Sequence, residues 1–242
     1  RGAVYNFPGP QGFGIANMAD SLYAVKTLVF DEHKLSMADL RDALANNFGK
    51  LRTPEEAQEI TADLAKALAA DGVVLNEDQI RSMYQTARTG GIPEEKRLKY
   101  EAIRSMLEDV PKFGNDIPEV DAFARDVAYT YTRPLQYYKN PRGGQVQAGL
   151  YPVSANVPLG AQTGATPDGR AASEPFAPGA NPMHGRDSHG AVASLSSVAK
   201  LNFEDAQDGI SNTFSITPHT LGRTDAEKRE NLVALLDGYV EK

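Results

Sequence analysis

At Asn140-Pro141-Arg142-Gly143-Gly144 the chain changes character. Upstream, apolar residues recur at three- and four-residue steps, the mark of helices that bury one stripe. Downstream, glycine and proline break up the sequence and leave only short β-like segments. The 242 residues therefore divide into a mainly helical part, 1–139, and a part of strand, Gly/Pro-rich loop and short helix, 140–242, within a helix-rich α/β protein.

Before the break, helix starts and stops are legible. Val4-Tyr5-Asn6-Phe7 reads as a short strand, and Pro8-Gly9-Pro10-Gln11-Gly12-Phe13-Gly14 as a tight loop, because consecutive Gly and Pro suit neither helix nor central strand. A helix follows to about Asp31, with Ile15, Met18, Leu22, Val25 and Val29 as its apolar stripe. Ser36 with Asp39 opens the next, which buries Leu40, Leu44 and Phe48 before Gly49. Thr53-Pro54-Glu55-Glu56 starts a third, to about Ala70, and Asn76 caps a fourth, to about Arg88. After Gly90-Gly91-Ile92-Pro93 a fifth runs to Val110 with Leu98, Ala102, Met106 and Val110 inward. A sixth, from Pro118 to about Tyr138, carries Val120, Phe123, Val127 and Tyr131 on one face, and Pro134 kinks or ends it.

Beyond the break, the stretch through Val157 is β-like. Alternation places Tyr151, Val153 and Ala155 on one face and Pro152, Ser154 and Asn156 on the other. Residues 158–190 read as a long loop, ordered rather than a spacer because it carries Phe176, Met183, His184 and Arg186. A short helix from Ala191 to Leu201, a β-like run Thr213-Phe214-Ser215-Ile216 and a last helix from Ala226, with Leu232, Leu235, Leu236 and Tyr239 on one face, complete the chain.

Charge and composition remove several classes of function. Lys plus Arg is 25 against 32 Asp plus Glu, a net charge of −7, and no basic cluster is interleaved with aromatics, so nucleic acid is not an expected partner. The absence of cysteine removes disulfides, thiolate metal sites and cysteine nucleophiles together. No stretch approaches the roughly 18 uninterrupted apolar residues of a membrane span, and no basic segment followed by an apolar run opens the chain. A cytoplasmic protein without a membrane partner is expected. Residue 1 is Arg, and the chain stops inside an amphipathic helix at Asp237-Gly238-Tyr239-Val240-Glu241-Lys242, which reads as a piece of something longer.

Two patterns invite chemistry and each has a plainer reading. Gly9-Pro10-Gln11-Gly12-Phe13-Gly14 ahead of a helix could cradle a phosphate, but its spacing fits neither the dinucleotide nor the Walker pattern, and a packing turn fits better. His184, Asp187 and His189 could ligate a divalent metal, but Arg186 stands among them, no fourth ligand is evident, and no metal is assigned. No nucleophile elbow and no distinctive carboxylate pair stand out, so the residues alone yield no reaction.

Thr166-Pro167-Asp168-Gly169-Arg170, the run from Pro175 to Asp187, Gly190-Ala191-Val192-Ala193-Ser194-Leu195, Ser197-Val198-Ala199-Lys200, Asp208-Gly209-Ile210-Ser211 and Thr213-Phe214-Ser215-Ile216 resemble the C-terminal half of the pyruvate formate-lyase family. Ala19-Asp20-Ser21-Leu22 and Phe113-Gly114-Asn115-Asp116 resemble the wider family of glycyl radical enzymes. Gly9-Pro10-Gln11-Gly12, Asn140-Pro141-Arg142-Gly143-Gly144 and Gly149-Leu150-Tyr151 look more like its dehydratase and C–N lyase branch, and residues 50–98 match neither.

The resemblance implies a ten-stranded β/α barrel ringed by helices, of which this chain would form part. It implies a radical-carrying Cys on one loop and a radical-carrying Gly on another. Neither is present here, since the chain has no Cys and no Arg-Val-Ser-Gly-Tyr motif, so no catalytic residue is assigned and the segment alone is expected to be inactive. Tyr151, Val153 and Ala155 are expected to line the substrate pocket, the Val153 position matching an apolar residue beside the pyruvate site. The same resemblance implies a glycyl radical installed by a radical SAM activating enzyme, CoA as co-substrate and a homodimer in the full-length form. The leading functional expectation is formate C-acetyltransferase, turning pyruvate and CoA into acetyl-CoA and formate. A dehydratase or C–N lyase acting on a small hydroxylated or aminated substrate is the alternative, and a non-catalytic docking or repair polypeptide is a third reading.

Overall fold

The computed structural model describes Val4 and residues 6–240. Local capping sets its helix starts. The Ser36 hydroxyl accepts the Asp39 N–H at 3.0 Å and opens α2, Met37–Ala45. Thr53 and Glu56 bond each other's backbone N–H, with Pro54 at the first position of α3, Pro54–Ala70. Asn76 and Gln79 repeat that box ahead of α4, Glu77–Thr89, which ends on Gly90 in the left-handed conformation. Around these lie α1, Ile15–Val25, which widens into a π-helical turn to Asp31, then α5, Glu94–Asp109, and α6, Pro118–Leu135. Pro134 sits in the last turn of α6, where its ring ends the helix earlier than expected.

Two of the expected buried faces are rotated. In α1 the buried side is Ile15, Ala16, Ala19 and Ala24, while Met18 and Leu22 of the expected stripe are about half exposed. Small residues let α1 approach α6 closely, and the two helices share one core. In α5, Tyr100, Ile103 and Leu107 point inward while Leu98 and Ala102 are exposed. Both stripes satisfy helical spacing, and the tyrosine one wins because its hydroxyl also donates to Asp42 at 2.6 Å.

The strands are much shorter than expected. Among the described residues the sheet is β1, Gly149–Leu150, paired in parallel with β2, Gly209–Ile210, in the register Gly149↔Gly209 and Leu150↔Ile210. Gln11 adds a parallel bridge to Gly149 on the other side. Pro8 and Pro10 take part through their carbonyls, which accept from the N–H groups of Gln147 and Gly149 at 3.1 and 3.0 Å, so the proline run lies along the sheet although it offers no donors. Of the strand expected over residues 4–7, Val4, Asn6 and Phe7 are irregular and Tyr5 lies outside the described residues. The strand expected from Tyr151 to Val157 is replaced by a turn and by α7, Asn156–Ala161. Pro152 removes a ladder donor, and Val153 adopts φ 52°, which breaks an extended run. Thr213–Ile216 is likewise irregular. The chain thus contributes a small parallel patch; a ten-stranded barrel is not formed by the described residues.

Residues 162–190 form an ordered loop that is buried at Asp168, Arg170, Ala177 and Asn181, followed by α8, Ala191–Ala199, and α9, Asp225–Val240. Leu232, Leu236 and Tyr239 of α9 remain exposed. One core joins α1, α6, β1, the loop and α8 through Phe113, Val120, Leu150 and Val198; a second joins the end of α1 to α2 and α5 through Leu28, Leu40, Phe48 and Leu107. Tyr23 packs against both.

Candidate functional site

The three short parallel segments place Gln11, Tyr151 and Asp208 together. Asp208 precedes β2 and Tyr151 follows β1, so their backbones lie at opposite ends of the paired strands. The tyrosine ring folds back over Gly149 and its hydroxyl donates to the Asp208 Oδ2. The Asp208 contact raises the phenol above its ordinary range, with a smaller opposing influence of the Gln11 amide. Gly12 lies against the ring of Tyr131, whose buried hydroxyl finds no partner among the described residues and whose ionisation burial pushes up to about 12.

Gln11 and Tyr131 also line a cleft of about 700 Å³ between α1, α6 and the loop, whose lining does not include Tyr151 or Asp208. Phe13, Met18, Leu22, Val25, Val127 and Phe176 make its wall largely apolar. This is where the unburied stripe of α1 faces. Pockets that hold small molecules have this character, apolar walls with a few converging polar groups.

The loop wall rests on Thr166-Pro167-Asp168-Gly169-Arg170. Asp168 accepts from Asn17 of α1 at 2.6 Å, and the Ser21 hydroxyl accepts its backbone N–H at 3.1 Å. Arg170 is wholly buried, donates to the carbonyls of Gly164, Ala171 and Glu174, and stacks 4.4 Å over the ring of Phe176. The motif thus does mechanical work, tying the loop to α1. Beside it Asp20 is buried with its Oδ1 bonded by the Phe113 N–H at 2.8 Å; burial, tempered by that bond and by Lys112, pushes its carboxyl up to about 7.

The residues expected to line the substrate pocket do not share a strand face. Tyr151 is in the polar cluster, Val153 is 76 % exposed on the turn, and Ala155 is the N-cap of α7. Sequence reasoning missed Gln11, Tyr131 and Asp208. A signal existed in the glycines of both partner segments, Gly9, Gly12 and Gly149. The amides of the glycine run are spent on protein carbonyls, Gly12 on Gly149 at 2.7 Å and Gly14 on Ala177 at 3.0 Å, which supports the packing-turn reading. His189 Nδ1 lies 3.0 Å from the Asn115 carbonyl and Arg186 pairs with Glu108. No group of three His, Asp or Glu suited to a metal occurs among the described residues, nor any helix long and apolar enough to cross a membrane.

Comparison with known proteins places this geometry. The family model described as pyruvate formate lyase-like matches residues 1–160, and the glycine radical model matches residues 176–242. Formate acetyltransferase 1 of Escherichia coli (strain K12) is 50% identical over 131 residues, 54% of this chain and 17% of that protein. The structure reported for 1,2-propanediol dehydration in Roseburia inulinivorans is 45% identical with a TM-score of 0.77, covering 99% of this chain and 25% of that one. The B12-independent glycerol dehydratase from Clostridium butyricum, in its glycerol-bound form, is 37% identical with a TM-score of 0.72, over 99% of this chain and 24% of its own. The chain spans about a quarter, or less, of the length of these relatives. It belongs to the pyruvate formate lyase-like family of glycyl radical enzymes.

Proposed function

We propose that the whole protein to which this segment belongs dehydrates a small vicinal diol, taking 1,2-propanediol to propionaldehyde and water or glycerol to the corresponding hydroxyaldehyde, and that the segment supplies one wall of the substrate pocket. The observation that carries this is the charge of the polar cluster. Its groups are the Tyr151 phenol, the Gln11 amide and the Asp208 carboxylate, with no cation among them. A neutral diol can exchange hydrogen bonds with such a set, whereas the carboxylate of pyruvate would meet a like charge at Asp208. Two further facts support the reading. The segments that resemble the dehydratase branch, 9–12 and 149–151, are bonded to each other at this site, and the likeness to two diol-related structures extends over 99% of the chain.

Within this reading Tyr151, with Val153 and Ala155 on the adjoining turn, faces the substrate. The reaction depends on a glycyl radical that the rest of the protein carries, in keeping with the glycine radical model matched by residues 176–242. An activating enzyme and a dimeric whole protein belong to the same proposal.

The second reading is formate C-acetyltransferase, favoured by 50% identity to the Escherichia coli enzyme over 131 residues. Activated full-length protein given each substrate under anoxic conditions separates the two. Aldehyde from the diol is expected; acetyl-CoA and formate from pyruvate and CoA, with no aldehyde from either diol, would overturn the first reading.

A further inference from the structure

Two glycines at the site are unexplained by backbone conformation. Neither Gly9 nor Gly149 has positive φ, so neither position needs glycine for a left-handed backbone. Space is what excludes a side chain. A Cβ at Gly9 would lie 2.0 Å from the Asp208 Oδ2, and one at Gly149 would lie 2.4 Å from the Tyr151 ring and 3.1 Å from the same Oδ2. Both positions are kept empty by one object, the Tyr151–Asp208 pair.

The pair also fixes a hydrogen-bond direction. A phenol has one proton and two lone pairs. The proton goes to Asp208, and the oxygen keeps its lone pairs as acceptors. Those lone pairs are suited to the O–H of an alcohol and unsuited to a carboxylate.

We propose that Asp208 is a positioning residue that locks the Tyr151 hydroxyl as a donor toward itself, so that the phenol oxygen presents an acceptor to a substrate hydroxyl. The proposal rests on the reading above, in which Tyr151 faces the substrate. Gly9 and Gly149 are then the clearance this lock requires.

The test uses the activated full-length enzyme, with the diol as substrate and Tm and circular dichroism as controls for folding. Tyr151→Phe and Asp208→Ala should each lower kcat/KM about ten-fold or more, and the double variant should be no worse than the poorer single one, because both remove the same arrangement. Asp208→Asn, whose amide oxygen still accepts the phenol proton, should stay within about three-fold of wild type. Gly9→Ala should reproduce Asp208→Ala on its own and add nothing to it. The Tyr151 phenolate absorbance, taken as wild type minus Tyr151→Phe, should titrate at lower pH once Asp208 is removed. If Asp208→Ala does not fold, Gly9→Ala and Asp208→Asn carry the same comparison. Loss of activity in Tyr151→Phe with Asp208→Ala and Gly9→Ala both within two-fold of wild type would overturn the positioning role and leave the pocket reading standing. A silent Tyr151→Phe would overturn both.

Discussion

Replacing Arg170 with leucine should loosen the loop that walls the cleft. The guanidinium is 1% exposed. It donates to the Glu174 carbonyl at 2.6 Å, to Ala171 at 3.2 Å and to Gly164, and its Nε reaches the Thr166 hydroxyl at 3.2 Å. A hydrogen bond from a charged donor is worth about 1.5–3 kcal/mol, and carbonyls left buried without a donor keep their desolvation cost. These losses overlap, so a net of about 3–5 kcal/mol is expected from the three carbonyls left without their charged donor. Hydrogen exchange is the suitable assay because the loss is local. At about 1.4 kcal/mol per decade, the amides of Ser173 and Phe176, which bond Thr163 and Asn156 at 3.1 Å, should exchange at least about 100-fold faster. Arg170→Lys should lose nearly as much, since one ammonium cannot span three carbonyls in a fork. Acceleration of less than about five-fold, roughly 1 kcal/mol, would refute the claim that Arg170 holds the loop.

Two further outcomes follow from the same structure. The folded state holds the Asp20 proton more tightly than the unfolded chain, where the carboxyl titrates at the ordinary 3.8, so this group's contribution is greatest below about pH 4 and is lost as pH rises to about 7, by up to about 4 kcal/mol. Urea unfolding across that range should show the slope flattened in Asp20→Asn, and an unchanged slope would show that Asp20 is not the group responsible. Val153→Phe should raise KM for the diol or abolish turnover while thermal stability changes little, because Val153 is exposed on a turn rather than packed in a core; unfolding, or unchanged kinetics, would remove Val153 from the pocket wall.

What was legible in the sequence was what a few neighbouring residues decide. The starts of α2, α3 and α4 follow from side chains that bond amides three residues away, so Ser36, Thr53 and Asn76 could be read directly. Facing could not be read in the same way. In α1 both Ile15-Met18-Leu22 and Ile15-Ala19 satisfy the helical period, and the choice depends on α6, a hundred residues later. The segment Tyr151–Val157 alternates well enough to suggest a strand, yet the proline and the positive φ of Val153 turn it into α7. Of the polar cluster, one residue stood out in the sequence. Tyr151 was singled out through resemblance, but its partner lies 57 residues away across a parallel pairing that no local pattern announces. The α/β character is visible as one small parallel patch, and the barrel expected from family resemblance is not built by these residues alone.

The central claim is that residues 8–12, 147–151 and 208–211 converge on the wall of a diol pocket. A crystal structure of the full-length protein with 1,2-propanediol or glycerol bound tests it most directly. The account requires a diol oxygen within hydrogen-bonding distance of the Tyr151 hydroxyl, about 2.7–2.8 Å for O–H···O, with the Tyr151–Asp208 contact intact. A diol bound elsewhere, with no atom within the roughly 4.5 Å contact range of Tyr151, Val153 or Ala155, would contradict it.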